Sequence, residues 1–267
     1  MPELPEVETL RRTLLPHLAG RRIVRVKVRE RRLREPLPEG FEASLEGRQV
    51  LALRRRGKFL LADLDDGRVW VVHLGMSGQF CVGPAAPGTL HVHVVIALDD
   101  GLELFYRDPR RFGLMRLEAG EPELNLGPDP IVDGIGFDLL WALTRRCSGQ
   151  RIKTLLMDQR RIAGLGNIYA SEALFRAGVR PGRRAGRLTR AEAARVALAV
   201  GETLDEALAA GGSSLVDYRD AEGREGGYQN LFRVYDREGL PCLRCASAIR
   251  HQTTAGRSTS YCPSCQR

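Results

Sequence analysis

The sequence predicts an α+β protein: an N-terminal helix, an antiparallel β-sandwich, a helical second half and a small cysteine-rich ribbon at the C-terminus. Three observations carry this. Apolar residues recur at helical spacing over the first twenty positions and switch to a two-residue period from about residue 21 to 118. Four of the six cysteines then fall in two C-x2-C pairs within the last 26 residues.

The elements follow in order. Leu4, Val7, Leu10, Leu14 and Leu18 form one stripe, with Glu3, Glu6 and Glu8 in the first turns where the helix dipole favours acids. Pro16 and Gly20 are expected to close this helix. Segments 21–30, 48–56, 58–64, 68–74, 91–98 and 102–107 read as short strands, and Asp66-Gly67 and Asp100-Gly101 are hairpin turns. A Gly-, Pro- and Glu-rich loop, Ala119–Pro130, separates this half from helices expected near 137–147, 152–161, 168–177 and 190–210. Thr189 and Glu192 make a capping box for the last, and Gly211-Gly212 stop it. Residues 213–229 are polar, Gly-rich and without period, a connection longer than most and so either mobile or functional.

The chain has 267 residues, with 41 Lys+Arg against 33 Asp+Glu and a formal charge of +8. No apolar run reaches the roughly 18–20 residues of a bilayer-spanning helix, so no membrane span is expected. Disordered and collagen-like classes are excluded by composition. Residues 1–130 hold 20 basic and 19 acidic residues, whereas 131–267 hold 21 and 14. The second half is therefore the expected polyanion-binding half. Of the basic residues 38 are Arg, and only Lys27, Lys58 and Lys153 are Lys. Where such a chain keeps Lys, a compact ammonium able to give up its proton is a reason to look. Cys81 and Cys147 stand alone and no secretion signal opens the chain, so a reducing, cytoplasmic location is expected.

Four motifs carry chemistry. Cys242, Cys245, Cys262 and Cys265, spaced C-x2-C-x16-C-x2-C, suit one tetrahedral structural Zn2+ and make the ribbon a zinc ribbon. Four thiolates leave no open metal position for catalysis. Arg250, His251 and Arg257 between the knuckles put cations on its hairpin, which suits a nucleic-acid backbone. The turn Ala163–Asn167 has two glycines and places Asn167 to cap the next helix, an arrangement that binds phosphate or simply turns a corner. His73–Gly78 and Tyr106–Gly113 pair an apolar tip with arginines, as a wedge into a base stack requires, although Met76 and Phe112 also suit a core. Finally, removal of Met1 before Pro2 exposes a secondary amine with a pKa of about 8 or lower, able to attack an aldehyde-level carbon. Glu3 and Glu6 stand beside it as candidate acids.

Taken together, MPELPEVET, RRRGKFLL, HLGMSG, DPRRFG, KTLLMDQRRIAGLGNIYASEALF, GGSSL and PCLRC with GRSTSYCPSCQ resemble the bacterial formamidopyrimidine-DNA glycosylase family over essentially the whole chain. The resemblance implies three parts: a catalytic β-sandwich at 1–130, a helix-two-turn-helix DNA-binding domain at 131–230 with a lesion-recognition loop at about 213–229, and a zinc finger at 231–267. It implies a base-excision repair enzyme that removes oxidised purines from double-stranded DNA and cuts the strand by β,δ-elimination. Pro2 matches the nucleophile, Glu3 the catalytic acid and Glu6 a supporting carboxylate. Lys58 and Arg257 match the residues assigned to β- and δ-elimination. Met76, Arg110 and Phe112 match the residues that fill the gap left by a flipped nucleotide. His91, Arg151, Lys153 and Asn167 match phosphate contacts. Arg224, Gly226, Gly227 and Tyr228 fall in the lesion loop, where Gly227-Tyr228 replaces a Gly-Tyr-Phe-like step. Asp236 stands where members commonly carry Gly. The resemblance implies a monomer with no organic cofactor. Two alternatives are weighed against it: a sister endonuclease VIII-like enzyme acting on oxidised pyrimidines, and a non-catalytic zinc-dependent damaged-DNA binder. The MPELPE start and the long loop speak against the first, and the joint presence of Pro2, Glu3, Lys58 and Arg257 against the second.

Overall fold

The computed structural model describes residues 2–215, 218–254 and 256–267. It divides into two compact units, Met1–Leu124 with Gly211–Gly227, and Asn125–Ala210 with Tyr228–Arg267. The segment 211–227, which the sequence places beside the helices, thus folds with the N-terminal unit. Its contacts with the first helix, described below, are the reason.

The first unit opens with α1 (Leu4–Leu18), which continues through Pro16 and ends at Ala19. Pro16 sits in the last turn, where its missing N–H costs a single backbone bond. Two four-stranded antiparallel sheets follow. One has the order β1 (Ile23–Val28), β6 (Val92–Leu98), β7 (Glu103–Arg107), β5 (Gln79–Val82). The other has the order β2 (Val50–Arg56), β3 (Phe59–Leu64), β4 (Arg68–His73), β8 (Leu114–Ala119). A short helix α2 (Phe41–Leu45) lies between β1 and β2 in sequence. One apolar core takes Val7, Leu10, Leu14 and Leu18 from α1, Val26, Val94, Ile96 and Leu104 from the first sheet, and Leu53, Leu60, Trp70 and Val72 from the second. Leu61, Val69 and Val71 form a smaller cluster with Phe59 and Leu124. Burial of this second set explains why β3 and β4 read as apolar runs instead of clean alternation. Strands β5 and β8 carry no clear period in the sequence. The first has only four residues, and the second buries just its first two.

In the second unit α3 (Phe137–Arg146), α4 (Ile152–Met157), α5 (Asn167–Ala177) and α6 (Arg190–Ala209) pack through Leu140, Leu155, Leu156, Tyr169, Leu174, Val196 and Val200. The expected capping box forms: Thr189 Oγ1 accepts the Glu192 N–H at 3.2 Å, and Glu192 Oε2 accepts the Thr189 N–H at 2.8 Å. Helix α4 stops at Met157, short of the expected 161. Asp158 Oδ1 accepts the Arg160 N–H and Gln159 bridges Met157 and Leu165, so side chains compete with the helical ladder. The ribbon strands β9 (Arg250–Thr254) and β10 (Arg257–Tyr261) pair antiparallel. Asp236 has a left-handed φ of 55°, a conformation that Asp tolerates better than most residues, which accounts for its standing at a Gly position.

Candidate active site and zinc ribbon

Pro2, Glu3 and Glu6 are all buried at the start of α1. Glu6 is the organiser. Its Oε2 accepts the Glu3 N–H at 2.8 Å, while Oε1 accepts the Ser213 N–H at 2.7 Å and its hydroxyl at 3.0 Å. Gly212 has φ +81°, and a Cβ there would lie 2.9 Å from Glu6 Oε1, so the close approach of this backbone needs a glycine. Met1 and its removal lie outside the described residues.

Lys58 is buried at the turn between β2 and β3. Arg55 shapes that turn by donating to the Gly57 carbonyl at 3.0 Å, and its Nε meets Glu8 Oε2 of α1 at 3.1 Å. Burial pushes the Glu8 carboxyl up, but hydrogen bonds from Arg11 and Arg12 and the charges of Arg11 and Arg55 outweigh it and hold its pKa at about 2. In the sequence Glu8 reads as a dipole acid only, since no local signal points to a partner 47 residues away.

His73, which the sequence does not single out as a site residue, ends β4 with its Nδ1 accepting the Gly75 N–H at 3.0 Å. Burial, with the Lys58 and Arg34 charges, lowers its pKa to about 4. The folded state therefore refuses a proton that the unfolded chain accepts. As pH falls from about 6.5 toward 4, stability is lost, by roughly 2 kcal/mol at about pH 5. Asn at 73 supplies an oxygen in place of Nδ1, and urea unfolding of His73→Asn should show a shallower decline between about pH 7 and pH 5 than the parent.

The loops that carry Met76 and Phe112 are locked together by Asp108, a residue with no signal of its own in the sequence. Asp108 is fully buried; its Oδ1 accepts the Ser77 hydroxyl at 2.6 Å and the Arg110 N–H at 3.3 Å, and its Oδ2 accepts the Gly113 N–H at 2.8 Å and the Tyr106 hydroxyl at 3.2 Å. Met76 and Phe112 are 39% and 44% exposed, so neither is a core residue. The Arg110 guanidinium lies 4.9 Å from the centre of the Phe112 ring. His91 is exposed, with a left-handed φ of 64°, and its carbonyl accepts the Asp108 N–H.

The lesion-loop candidates separate. A Cβ on Gly226 would lie 2.3 Å from the Gly212 carbonyl, and Gly227 bridges to Ser213, so both close the base of the loop. Arg224 is tied to Asp220 at 2.8 Å. Tyr228 is not a loop residue: it is buried in the second unit, its ring 5.4 Å from Tyr169 and 5.7 Å from Phe232. An aromatic ring gains more from that apolar stack than from exposure in a polar loop. Val216 and Asp217, within the expected loop, lie outside the described residues.

In the second unit Lys153 departs from expectation. It is 0% exposed, and its Nζ donates to Thr259 Oγ1 at 2.8 Å and the Ser258 carbonyl at 3.2 Å. It braces β10 and offers no exposed phosphate contact, because a buried ammonium must keep its acceptors. Gly166, not Asn167, caps α5; Asn167 is its first residue, and its buried Oδ1 has no hydrogen-bond partner among the described residues. Arg151 is exposed and lines a cleft of about 420 Å³ with Arg180, Gly182, Arg183, Gln252 and Arg267. Arg257 is exposed at the start of β10.

The four cysteine Sγ atoms of the ribbon all lie within 4.8 Å of one another, with Cys242–Cys265 at 3.9 Å and Cys245–Cys262 at 3.5 Å. Tetrahedral Zn–S bonds of about 2.3 Å place sulfurs about 3.8 Å apart, so this donor set fits one Zn2+. The ion would be structural, joining the knuckles around a core of Phe175, Val234, Ile249, Cys242 and Cys262.

A buried N-terminal Pro-Glu pair on a β-sandwich, a helical unit and a four-thiolate ribbon define the architecture of a DNA-repair glycosylase. Family models match in the same order: the formamidopyrimidine-DNA glycosylase N-terminal domain over residues 1–115, that family's H2TH domain over 126–218, and a zinc finger found in FPG and IleRS over 239–267. The formamidopyrimidine-DNA glycosylase of Cereibacter sphaeroides is 48% identical over 286 residues, covering 100% of both chains. The crystal structure of the Thermus thermophilus MutM (Fpg) protein is 42% identical with a TM-score of 0.88, covering 99% of this chain and 98% of that one. A mutant Lactococcus lactis Fpg, in complex with DNA containing Fapy-dG, is 31% identical with a TM-score of 0.91 over 100% of both chains. The chain belongs to the formamidopyrimidine-DNA glycosylase family and is an enzyme of that kind.

Proposed function

We propose that the chain is a bifunctional base-excision enzyme that removes 8-oxoguanine and formamidopyrimidines from duplex DNA and then cuts the strand. The observation that carries this is the buried Pro2-Glu3 start, held by Glu6, which also binds the base of the 213–227 loop. The Fapy-dG complex of the L. lactis relative supports the substrate class.

After removal of Met1, the Pro2 secondary amine attacks C1′ of an extruded nucleotide. The bond from C1′ to the base breaks, its electron pair leaves with the base, and an acid protonates the departing fragment or the sugar ring oxygen. Glu3 fills that role, with Glu6 positioning it. The attached amine then gives up its proton and its lone pair opens the C1′–O4′ bond. The released electron pair goes to O4′, which takes a proton, and the product is a ring-opened iminium at C1′, an electron sink. Loss of a C2′ proton then expels the 3′ phosphate, and a second elimination expels the 5′ phosphate; Lys58 and Arg257 are assigned to these transfers. Hydrolysis of the remaining imine frees Pro2. Extrusion costs a few kcal/mol, and Met76, Arg110 and Phe112 are suited to fill the vacated stack. His73, neutral and protonated on Nε2, adds a donor for phosphate beside Lys58. Arg151, Asn167 and the arginine cleft extend backbone binding, with His91 a further contact. The zinc, when bound, supplies no chemistry beyond holding the Arg257 hairpin in shape. A monomer suffices for this work.

Borohydride trapping tests the reading. The protein lacking Met1 is expected to form a covalent adduct on an 8-oxoguanine:C duplex, and Pro2→Gly to lose most of it. An undiminished adduct in Pro2→Gly would refute the Pro2 mechanism. Faster excision of thymine glycol opposite A would assign the enzyme to the endonuclease VIII-like class, and absence of any adduct would leave a damage binder.

A further inference from the structure

Ser213 and residues 218–222 are strapped along one face of α1. Beyond the Ser213 bonds, the Tyr218 hydroxyl donates to the Glu6 carbonyl at 2.9 Å, and the Ala221 N–H donates to Thr13 Oγ1 at 3.2 Å. The Ala221 carbonyl accepts the Val82 N–H of β5 at 2.8 Å, and its side chain joins the sandwich core. Glu222 stands 3.6 Å from His17. Positions 6, 13 and 17 are seven and four residues apart, which puts them on one side of a helix. Asp220 stiffens the strap: its N–H donates to the Arg224 carbonyl at 2.9 Å, and its Oδ1 accepts from the Glu222 and Arg224 N–H groups at 3.0 and 2.9 Å. Burial, then the charges of Glu6 and Asp220, raises the Tyr218 pKa, so its hydroxyl stays a donor.

Both ends of this arrangement meet in one residue. Glu6 holds Glu3 through Oε2, Ser213 through Oε1 and Tyr218 through its carbonyl. We propose that Tyr218 and Ala221 are positioning residues for base excision, fixing through Glu6 and Thr13 the register between the recognition loop and the helix that carries the nucleophile. This rests on the functional reading above, in which loop and Pro2 serve one reaction. Excision needs the damaged base and C1′ held together in reacting geometry. Elimination at an abasic site has no base to hold. The strap therefore acts on the first reaction and not on the second.

Tyr218→Phe removes the bond to the Glu6 carbonyl together with the hydroxyl's bond to Thr9, and Thr13→Val removes the bond to Ala221, both at nearly constant volume, and neither residue is part of the proposed chemistry. Each is expected to slow single-turnover excision from an 8-oxoguanine or formamidopyrimidine duplex about fivefold, the equivalent of one neutral hydrogen bond. Cleavage of a preformed abasic site should stay within about twofold of the parent by the same reasoning. Amide exchange at 219–223 should quicken in both variants while the melting temperature holds. Equal slowing on both substrates, slowing on neither, or unchanged exchange overturns the proposal while parent excision stands. A parent that excises neither lesion overturns the functional reading, and this proposal with it.

Discussion

Cys262→Ser, or removal of the metal by a chelator, is expected to unfold the ribbon over about 239–267. The ribbon has almost no core of its own: Cys242, Ile249 and Cys262 pack against Val234 and Phe175 of α5. Zinc binding to such modules contributes on the order of 10 kcal/mol to folding, more than the roughly 4–9 kcal/mol that burying Phe175, Val234 and Ile249 supplies. The damage spreads. Lys153 of α4 is fully buried, and two of its acceptors, Ser258 and Thr259, belong to β10, so unfolding the hairpin takes both from the ammonium. A buried ammonium that loses two hydrogen-bond acceptors is destabilised by about 1–3 kcal/mol for each until it reaches water. Arg257 loses its placement as well. Zinc content, circular dichroism and lesion-duplex anisotropy should fall together, the affinity by about a hundredfold or more because the hairpin's cations no longer reach the phosphates. A Cys262→Ser protein with full zinc and unchanged DNA affinity would contradict the structural role.

Asp108→Asn is expected to separate the two loops that carry Met76 and Phe112. Four donors converge on the Asp108 carboxyl, and an amide can accept on only one of its two sides. The Ser77 and Tyr106 hydroxyls can turn and accept. The Gly113 N–H cannot, so the amide oxygen turns toward it, and the NH2 then stands against the Arg110 N–H, which keeps Ser77 Oγ at 3.1 Å as its acceptor. The carboxylate's contact with Arg110 becomes repulsive and its charge-assisted bonds become neutral ones, a loss of about 1–2 kcal/mol. Gly75 leaves no slack, because a Cβ at that position would lie 2.3 Å from the Phe112 backbone. Urea midpoints should fall. Lesion excision should drop about tenfold or more as the wedge loses its geometry, while Ser77→Ala, which removes one partner, should give a milder loss of both. A stable Asp108→Asn protein with parental excision would show that the loops hold their shape without this carboxyl.

Much of the fold is legible in the sequence because its signals are local. The stripe from Leu4 to Leu18, the Thr189–Glu192 capping box and the cysteine spacing each lie within a few turns of chain, and each forms in the structure. The departures share a cause. Its neighbours in sequence assign Tyr228 to the loop, yet an aromatic stack with Tyr169 and Phe232 draws it into the helical unit. Lys153 matches a phosphate-contacting position in the sequence, yet acceptors about a hundred residues away hold its ammonium. The structural roles of Asp108, Glu8 and His73 are not legible in the sequence for the same reason: most of the groups that define them are brought alongside by folding.

Sequence alone determined the α+β class, the family, the zinc ligands and which residue types stand at the N-terminus, since periodicity and motif spacing are written in the chain. Tertiary structure decided which of those groups work together. Glu6 became the junction between the Glu3 segment and the 213–227 loop, the loops of Met76 and Phe112 became one unit through Asp108, and Lys153 became a brace. Burial, closed hydrogen-bond sets and local charge depend on what folding brings alongside, and no local pattern of residues records that.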